Sequence, residues 1–586
     1  MGAKGFRFLA TGAPRGRAAR RGAIRYEGEV TLLSNVARAG SPDRPGGRPF
    51  SSRSVVHALH GMVASSHPLA SQIGLDVLRQ GGSAVDAAIA ANAALGFLEP
   101  VSCGIGGDLF AMVWDAAGGR LHGLNGSGRA PAALTAAGIR PGPDGTIPLF
   151  SPVAWTVPGA VDAWFELHAR FGRLPMATVL APAAAAAREG APVPQVIAAA
   201  WRDGAAQLRD VPGFRETFLP DGRPPEEGEI FRNEALARAY DLVARDGRDA
   251  FYRGPIGAAL VRFSEEVGGV LSASDLAEHR SQWVAPISTA YRGVDVWELP
   301  PNGQGLAALQ MLNMLETFDL AAMGRDAPDF WHVLVEVKKL AFADRARLYA
   351  DPDFVECPVE RLLSKEYARE RARRVDLARA ARTDEPGLPR EHGDTTYLAT
   401  ADVHGNMVSL IQSNYTGFGS GYAVPAWGFG IQNRGAQFSL DPRSANFLQP
   451  RKRPFHTIIP AFLTVAGEPR VAFGVMGGDM QPQGHAQIVV NLVDLGMNLQ
   501  QAGDAGRCHH TRSSEPTGTR MRSGGVVSLE STVPAAVRVE LVRRGHTVEE
   551  AIAPCFGGYQ AVARDPATGV LSGATEWRKD GCAAGY

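Results

Sequence analysis

From Thr395 the chain alternates like a β-strand through Thr-Thr-Tyr-Leu-Ala-Thr-Ala, turns at Asp402-Val-His-Gly-Asn406, and alternates again through Met407-Val-Ser-Leu-Ile-Gln-Ser413. Two such runs joined by a short Gly-bearing polar turn predict a β-hairpin. A loop centred on His404 makes the numbers of facing residues sum to about 808, which sets Thr395 opposite Ser413 on one face of the hairpin. The strand begins abruptly. The stretch before it, Thr383 to Asp394, is polar and carries Pro and Gly, so it reads as a linker ending at two threonines.

Ordered structure is expected from about Val55. Ser71 and Ser83 read as helix N-caps, with Gly81 and Gly82 between the two helices and Ser83 with Asp86 as a capping box. Val85, Ile89 and Ala93 repeat at helical spacing among alanines, which predicts a buried helix. Gly104, Gly106 and Gly107 precede an apolar strand, Leu109 to Trp114. A dinucleotide fingerprint needs its glycines after a strand and leading into a helix, so tight backbone approach is the better reading here. From about Pro152 to Ala380 helical patterns dominate, and the region reads as scaffold. After Thr395 strands (HTIIPAFLTVAG, RVAFGVMGG, VVSLES, YQAVARDPATGVLSGATEWR) mix with a helical run (HAQIVVNLVDLGMNLQQAGDA), which suggests layered sheets with helices outside.

Composition narrows the function. In 586 residues Lys plus Arg equals Asp plus Glu at 60 each, and 45% of residues are hydrophobic, so the chain reads as an ordinary enzyme and not a nucleic-acid binder. Five scattered cysteines without CxxC spacing suggest neither a disulfide framework nor a zinc site. Cys508, His509 and His510 are adjacent, and neighbouring residues rarely converge on one ion, so no metal or other cofactor is expected. No apolar run approaches the roughly 18 residues of a membrane span, so no membrane partner is expected either. Residues 1–54 form an Arg/Gly-rich extension without the apolar core of a secretory signal; it is expected to be disordered, and the protein to be cytoplasmic. No GxSxG elbow occurs.

The chemistry centres on Thr395. Inside a chain a threonine hydroxyl holds its proton too tightly to act as a nucleophile. At an N-terminus it gains its own base, an α-amine with a pKa of about 7.7–8.0. Cleavage between Asp394 and Thr395 would create that catalyst, and the Thr395 hydroxyl can itself attack the Asp394 carbonyl to give an ester that water opens. Backbone N–H groups in GVMGGD, at Gly477 and Gly478, are candidates for an oxyanion hole.

Together these pieces resemble the γ-glutamyltransferase family, autoprocessed N-terminal-nucleophile hydrolases that also include glutathione hydrolases, cephalosporin acylases and oxamate amidohydrolase. The matching stretches are GMVASSHPLASQIGLDVLRQGGSAVDAAIAANAAL, PVSCGIGGDLF, GDTTYLATADVHGNMVSL, GFGSG, KRPFHTIIPA, GVMGGD and DGCAAGY, in the family's order from Gly61 to Tyr586. The resemblance implies an α/β (α+β) fold, a four-layer αββα sandwich formed by two autoprocessed pieces, 55–394 and 395–586. These would stay associated as a heterodimer, with a dimer of heterodimers left open.

It also implies that Thr395 is the nucleophile, Ser413 its supporting hydroxyl, and Gly477 and Gly478 the oxyanion glycines. Ser127 stands where the family has the arginine that grips a γ-glutamyl carboxylate, and Gln437 where it has an acid for the amine. His456 and Thr457 replace a serine pair, and Tyr415 replaces an asparagine. Arg129 and Arg434 remain as anchors for a single carboxylate. The segment Phe438–Lys452 is shorter than the family's lid, which favours hydrolysis over transfer. The expected activity is cleavage of γ-glutamyl or related small carboxylate-bearing amides, with water or an amine as acceptor. Oxamate or glutaryl-cephalosporin substrates are the alternative. A reading from another class is an inactive homologue that binds a small molecule; a denaturing gel separates the two, since the enzyme must give two bands.

Overall fold

The Thr395 hairpin lies inside a seven-stranded antiparallel sheet in a computed structural model that describes residues 53–383, 394–518, 520–551 and 553–586. The expected extension up to residue 52 and the linker residues 384–393 lie outside the described residues. Strand Asp394–Asp402 pairs with Met407–Tyr415, and from Thr396 opposite Gln412 to Ala401 opposite Met407 the register is the one read from the alternation. At its start the register shifts, and Asp394 faces Tyr415. Outward from the hairpin, the sheet continues on one side through Gly61–Ser65 and Cys582–Gly585. On the other side it continues through Asp108–Asp115, Arg120–Gly126 and Gln282–Val284.

Both faces of this sheet are covered, as the alternation of side chains requires. Leu398, Val408 and Leu410 join a core with the helices around Ala84–Leu98, whereas Tyr397, Ala399, Ala401 and Ile411 join a second core with Phe462, Ala472 and Val562. Those last three belong to another seven-stranded antiparallel sheet, whose order is Val56–Ala58, Leu571–Thr575, Gly558–Arg564, Glu468–Met476, Ala461–Val465, Val294–Glu298 and Ile287–Tyr291. Its other face packs Phe473, Val475 and Ala561 with Leu312, Val333, Ile488 and Val537 from helices. The fold is therefore mixed α/β, and strands from before and after Thr395 stand side by side in both sheets.

Ser83 caps the helix Ala84–Leu98 as expected: its Oγ accepts from Asp86 N at 3.1 Å and Asp86 Oδ2 accepts from Ser83 N at 2.9 Å. Every residue of that helix is buried. The Ser71 cap is a correction. The preceding helix spans Pro68–Arg79 and is capped by His67, because Pro68 suits the first helical position; Ser71 lies inside, bonded to Ser65 Oγ and to the Cys582 carbonyl, each at 2.7 Å. The glycines before the Asp108 strand do allow close approach: a Cβ on Gly107 would stand 2.5 Å from the Ser413 carbonyl oxygen. The middle region is not helical throughout. Three short strands, Gln282–Val284, Ile287–Tyr291 and Val294–Glu298, extend the two sheets.

Candidate active site

The hairpin register brings Thr395 and Ser413 together, with Thr395 Oγ1 donating to Ser413 Oγ at 3.3 Å, and both side chains are buried. Ser413 Oγ also accepts from Tyr415 N at 2.8 Å and from an Arg434 Nη at 3.1 Å. Its oxygen is thus fixed by backbone and by a cation. Arg434 opens the short turn Arg434–Gln437, and its other Nη donates to Thr457 Oγ1 at 2.7 Å. The Tyr415 ring lies 4.5 Å from the guanidinium carbon, a cation–π contact. Tyr415 ends its strand at φ +83°, a left-handed conformation that costs a non-glycine residue of order 1–3 kcal/mol and turns this ring under the guanidinium.

Arg434 is fully buried and its Nε has no acceptor. Among the described residues no carboxylate bonds to it. Burial pushes its pKa down to about 10, against the pull of Asp108. Burial also pushes the Asp108 carboxyl up to about 7, opposed by Arg434 and by bonds from Gln432, Gly128 and Gly159. Asp108 Oδ2 lies 3.1 Å from His456 Nε2, and His456 Nδ1 accepts from Ile458 N at 3.3 Å. The imidazole therefore carries its proton on Nε2 and is neutral: burial and the nearby Arg434 charge hold its pKa well below the usual value. His456, expected to contact substrate, has its Nε2 turned to Asp108 and does not line the pocket that holds Thr457.

Gly477 and Gly478 form a turn at φ +114° and +56° between strand Glu468–Met476 and helix Met480–Val493. Both values favour glycine. Gly477 O accepts from Met480 N at 3.0 Å, and in a trans peptide the Gly478 N–H points the opposite way, out of the helix. Neither glycine N–H has a backbone acceptor among the described residues. Gly478 lines a narrow pocket of about 40 Å³ together with Tyr415, Gln437 and Thr457. Thr395 connects to these lining groups through Ser413 and Arg434. What the geometry offers is a hydroxyl pair bonded to a buried cation, which bonds in turn to Thr457 on the wall of a small pocket that Gly478 also lines.

Not every expected residue joins this group. Arg129 bonds to Asp353 at 2.5 Å, Asp351 at 3.3 Å and the Arg451 carbonyl at 2.9 Å, and it lines a separate cleft of about 390 Å³. Ser127 is buried against Asn125 and Asn302. Conversely, the pocket takes Lys338, Asp479, Ser513 and Glu515, which sequence reasoning missed. Lys338 donates to the His510 carbonyl at 2.9 Å and to Ser513 Oγ, and burial lowers its pKa to about 7. The signal for it was present: Lys338 and Arg345 lie seven apart on one face of a largely apolar helix, Pro328–Leu348. Elsewhere His332, Glu336 and His546 converge in the interior as a group of metal-ligand type. There His332 Nδ1 and His546 Nε2 are 2.8 Å apart and share a hydrogen bond, and Lys339 Nζ holds Glu336 Oε1 at 2.7 Å, so protein partners already take these atoms.

Residues 70–586 match the family model described as gamma-glutamyltranspeptidase. The chain is 37% identical over 532 residues to the glutathione hydrolase-like YwrD proenzyme of Bacillus subtilis (strain 168), covering 89% of this chain and 98% of that protein. It is 36% identical over 541 residues to the oxamate amidohydrolase proenzyme of Klebsiella pneumoniae subsp. pneumoniae, covering 90% of this chain and 98% of the relative. Among solved structures, cephalosporin acylase from Bacillus halodurans superimposes with a TM-score of 0.83 at 44% identity, over 93% of this chain and 99% of the acylase.

Proposed function

The chain belongs to the gamma-glutamyltranspeptidase family, a family of hydrolases, and from that premise we propose that Thr395 is its autoprocessed N-terminal nucleophile. In the precursor the Thr395 hydroxyl attacks the Asp394 carbonyl, the acyl group shifts from nitrogen to oxygen, and water opens the ester. The products are pieces 55–394, with the extension before it, and 395–586, which remain together in a four-layer αββα arrangement. The names of the relatives as proenzymes support this division.

In turnover the new α-amine takes the Oγ1 proton as Oγ1 attacks the substrate amide. The negative charge that develops on the carbonyl oxygen is met by the N–H groups of Gly477 and Gly478. The leaving amine collects the proton from the Thr395 ammonium, and water then hydrolyses the acyl ester through the same proton path. Ser413, held by Arg434 and Tyr415 N, keeps the nucleophile in register.

The observation that carries this reading is the 3.3 Å contact between Thr395 Oγ1 and Ser413 Oγ beside a buried arginine. Substrate class follows from that arginine. A guanidinium buried without a bonded carboxylate favours an anionic ligand, so the acyl group carries one carboxylate read by Arg434, as in a glutaryl amide or oxamate. Gln437 offers no charge for an α-amine. The test is to quench turnover of a glutaryl anilide, map the acyl adduct by peptide mass spectrometry, and compare kcat/KM with the γ-glutamyl anilide. An adduct on Thr395 and a preference for glutaryl are expected; an adduct elsewhere removes the nucleophile, and a strong γ-glutamyl preference removes the substrate class.

A further inference from the structure

Gln304 and Arg345 lie outside every role assigned so far, yet both are fully buried and tied to the pocket. The Gln304 amide nitrogen donates to two carbonyls at once, Gly478 O at 3.0 Å and Thr457 O at 2.7 Å. One amide group thus spans the glycine turn and the residue that holds Arg434. Its own oxygen accepts from an Arg345 Nη at 2.6 Å. The same Nη bonds Asp479 Oδ1, the residue after the glycine turn, at 2.7 Å, and the other Nη bonds Glu515 Oε2 at 2.5 Å. Arg345 is seated over the Phe342 ring at 3.7 Å.

Each contact limits one motion. Gly478 and its neighbour have glycine backbones at positive φ, which are free to rotate unless something fixes them. The Gly478 carbonyl is fixed from within by Gln481 N at 3.2 Å and from outside by Gln304. With that carbonyl held and the Gly477 carbonyl committed to Met480 N, the direction of the intervening N–H is set. Burial disfavours ionisation of Asp479 and Glu515, but the Arg345 charge and its bonds hold Asp479 down to about 2, while Glu515 stays well above the usual carboxylate range. Arg345 therefore keeps an ionised partner at the end of the turn.

We infer that Gln304 and Arg345 are positioning residues that hold the Gly477–Gly478 turn so that the Gly478 N–H is aimed at the reacting carbonyl oxygen, and that index the turn to Thr457 and Arg434. The inference rests on the reading of this turn as the oxyanion hole. Both residues precede Thr395, whereas Thr457, Gly478, Asp479 and Glu515, which they bond, follow it, so the N-terminal piece completes a site whose reacting groups all lie on the C-terminal piece. The clamp acts on the transition state, because an oxyanion needs donors within a few tenths of an ångström of the right place and ground-state binding does not.

The test uses the cleaved enzyme with Gln304→Ala, Gln304→Glu, Arg345→Ala and Arg345→Lys, and kcat is expressed per active site titrated by acyl burst. Gln304→Glu keeps shape but removes both N–H bonds to the carbonyls. Both Gln304 variants should lose kcat by ~10- to 100-fold, somewhat less than loss of an oxyanion donor itself, with KM within a few-fold of wild type. Arg345→Lys keeps the charge beside Asp479 and should retain more activity than Arg345→Ala. If a variant folds poorly, titration corrects for the lost sites, and unchanged kcat per site would make the role structural only and overturn the proposal. A rise in KM at constant kcat overturns it as well. Failure of the parent reading looks different: Thr395→Ala would remain active, and both inferences would fall.

Discussion

Replacing Arg434 with Met removes a fully buried guanidinium that donates to Ser413 at 3.1 Å and Thr457 at 2.7 Å. For stability the terms nearly cancel. Two charge-assisted bonds are worth about 1.5–3 kcal/mol each and a desolvated cation–π contact about 2, against a desolvation cost of several kcal/mol for a buried ion. The melting temperature should therefore move little. For catalysis they do not cancel, because a substrate carboxylate that bonds to the guanidinium loses one more charged hydrogen bond in the variant. At about 1.5–3 kcal/mol that loss is ~10- to 150-fold in kcat/KM beyond whatever follows from disturbing Ser413. The assay compares a glutaryl anilide with the uncharged butyryl anilide on wild type and variant. Both should slow, since Ser413 loses a partner, but the glutaryl to butyryl ratio should fall by that extra factor. An unchanged ratio would show that Arg434 only supports Ser413 and that the carboxylate is read elsewhere.

Ser413→Ala should fold and lower turnover by ~10²–10³-fold, as for loss of one stabilising hydrogen bond in an active site, whereas Ser413→Thr keeps the hydroxyl and should keep most activity; equal activity of Ser413→Ala and wild type would remove Ser413 from the site. Asp108 has a folded pKa raised to about 7, so the folded chain keeps a proton that the unfolded chain releases near 3.9; stability from this group is full below about 3.9 and lost as pH rises through about 7. Between pH 5 and 8 the melting temperature of wild type should thus fall more steeply than that of Asp108→Asn, and parallel slopes would refute the assignment. Arg129→Ala should leave kcat/KM for the glutaryl anilide within about two-fold, because its charge is spent on the buried Asp351 and the exposed Asp353; a ten-fold loss would return Arg129 to the substrate.

The hairpin register from Thr396 to Ala401, and with it the Thr395–Ser413 contact, was legible because both halves of the hairpin alternate and the turn between them has one natural centre. The shift at Asp394 was not, since a one-residue irregularity at a strand end leaves no trace in the hydrophobic pattern. Ser83 and Asp86 announced their helix through local chemistry, whereas Ser71 misled because Pro68, one turn earlier, starts its helix equally well. The strands at Gln282, Ile287 and Val294 are three to five residues long, two of them at sheet edges, too short for a period to declare itself. The partners of Arg129 were hidden for a different reason: sequence gives the charge but not what it meets, and Asp351 and Asp353 lie more than 200 residues away. Lys338 and Arg345 were read as scaffold for the same cause, as only the packing of their helix against Asp479 and Glu515 turns them to the pocket.

Everything proposed for the site requires that Thr395 become an N-terminus and that its hydroxyl do the chemistry. N-terminal sequencing of the smaller fragment from purified protein, run beside Thr395→Ala, tests it most directly. Wild type should give two fragments, the smaller beginning Thr-Thr-Tyr-Leu-Ala at Thr395, and Thr395→Ala one intact, inactive chain. A smaller fragment that begins at any other residue, or an uncut wild-type chain with full amidase activity, would contradict it.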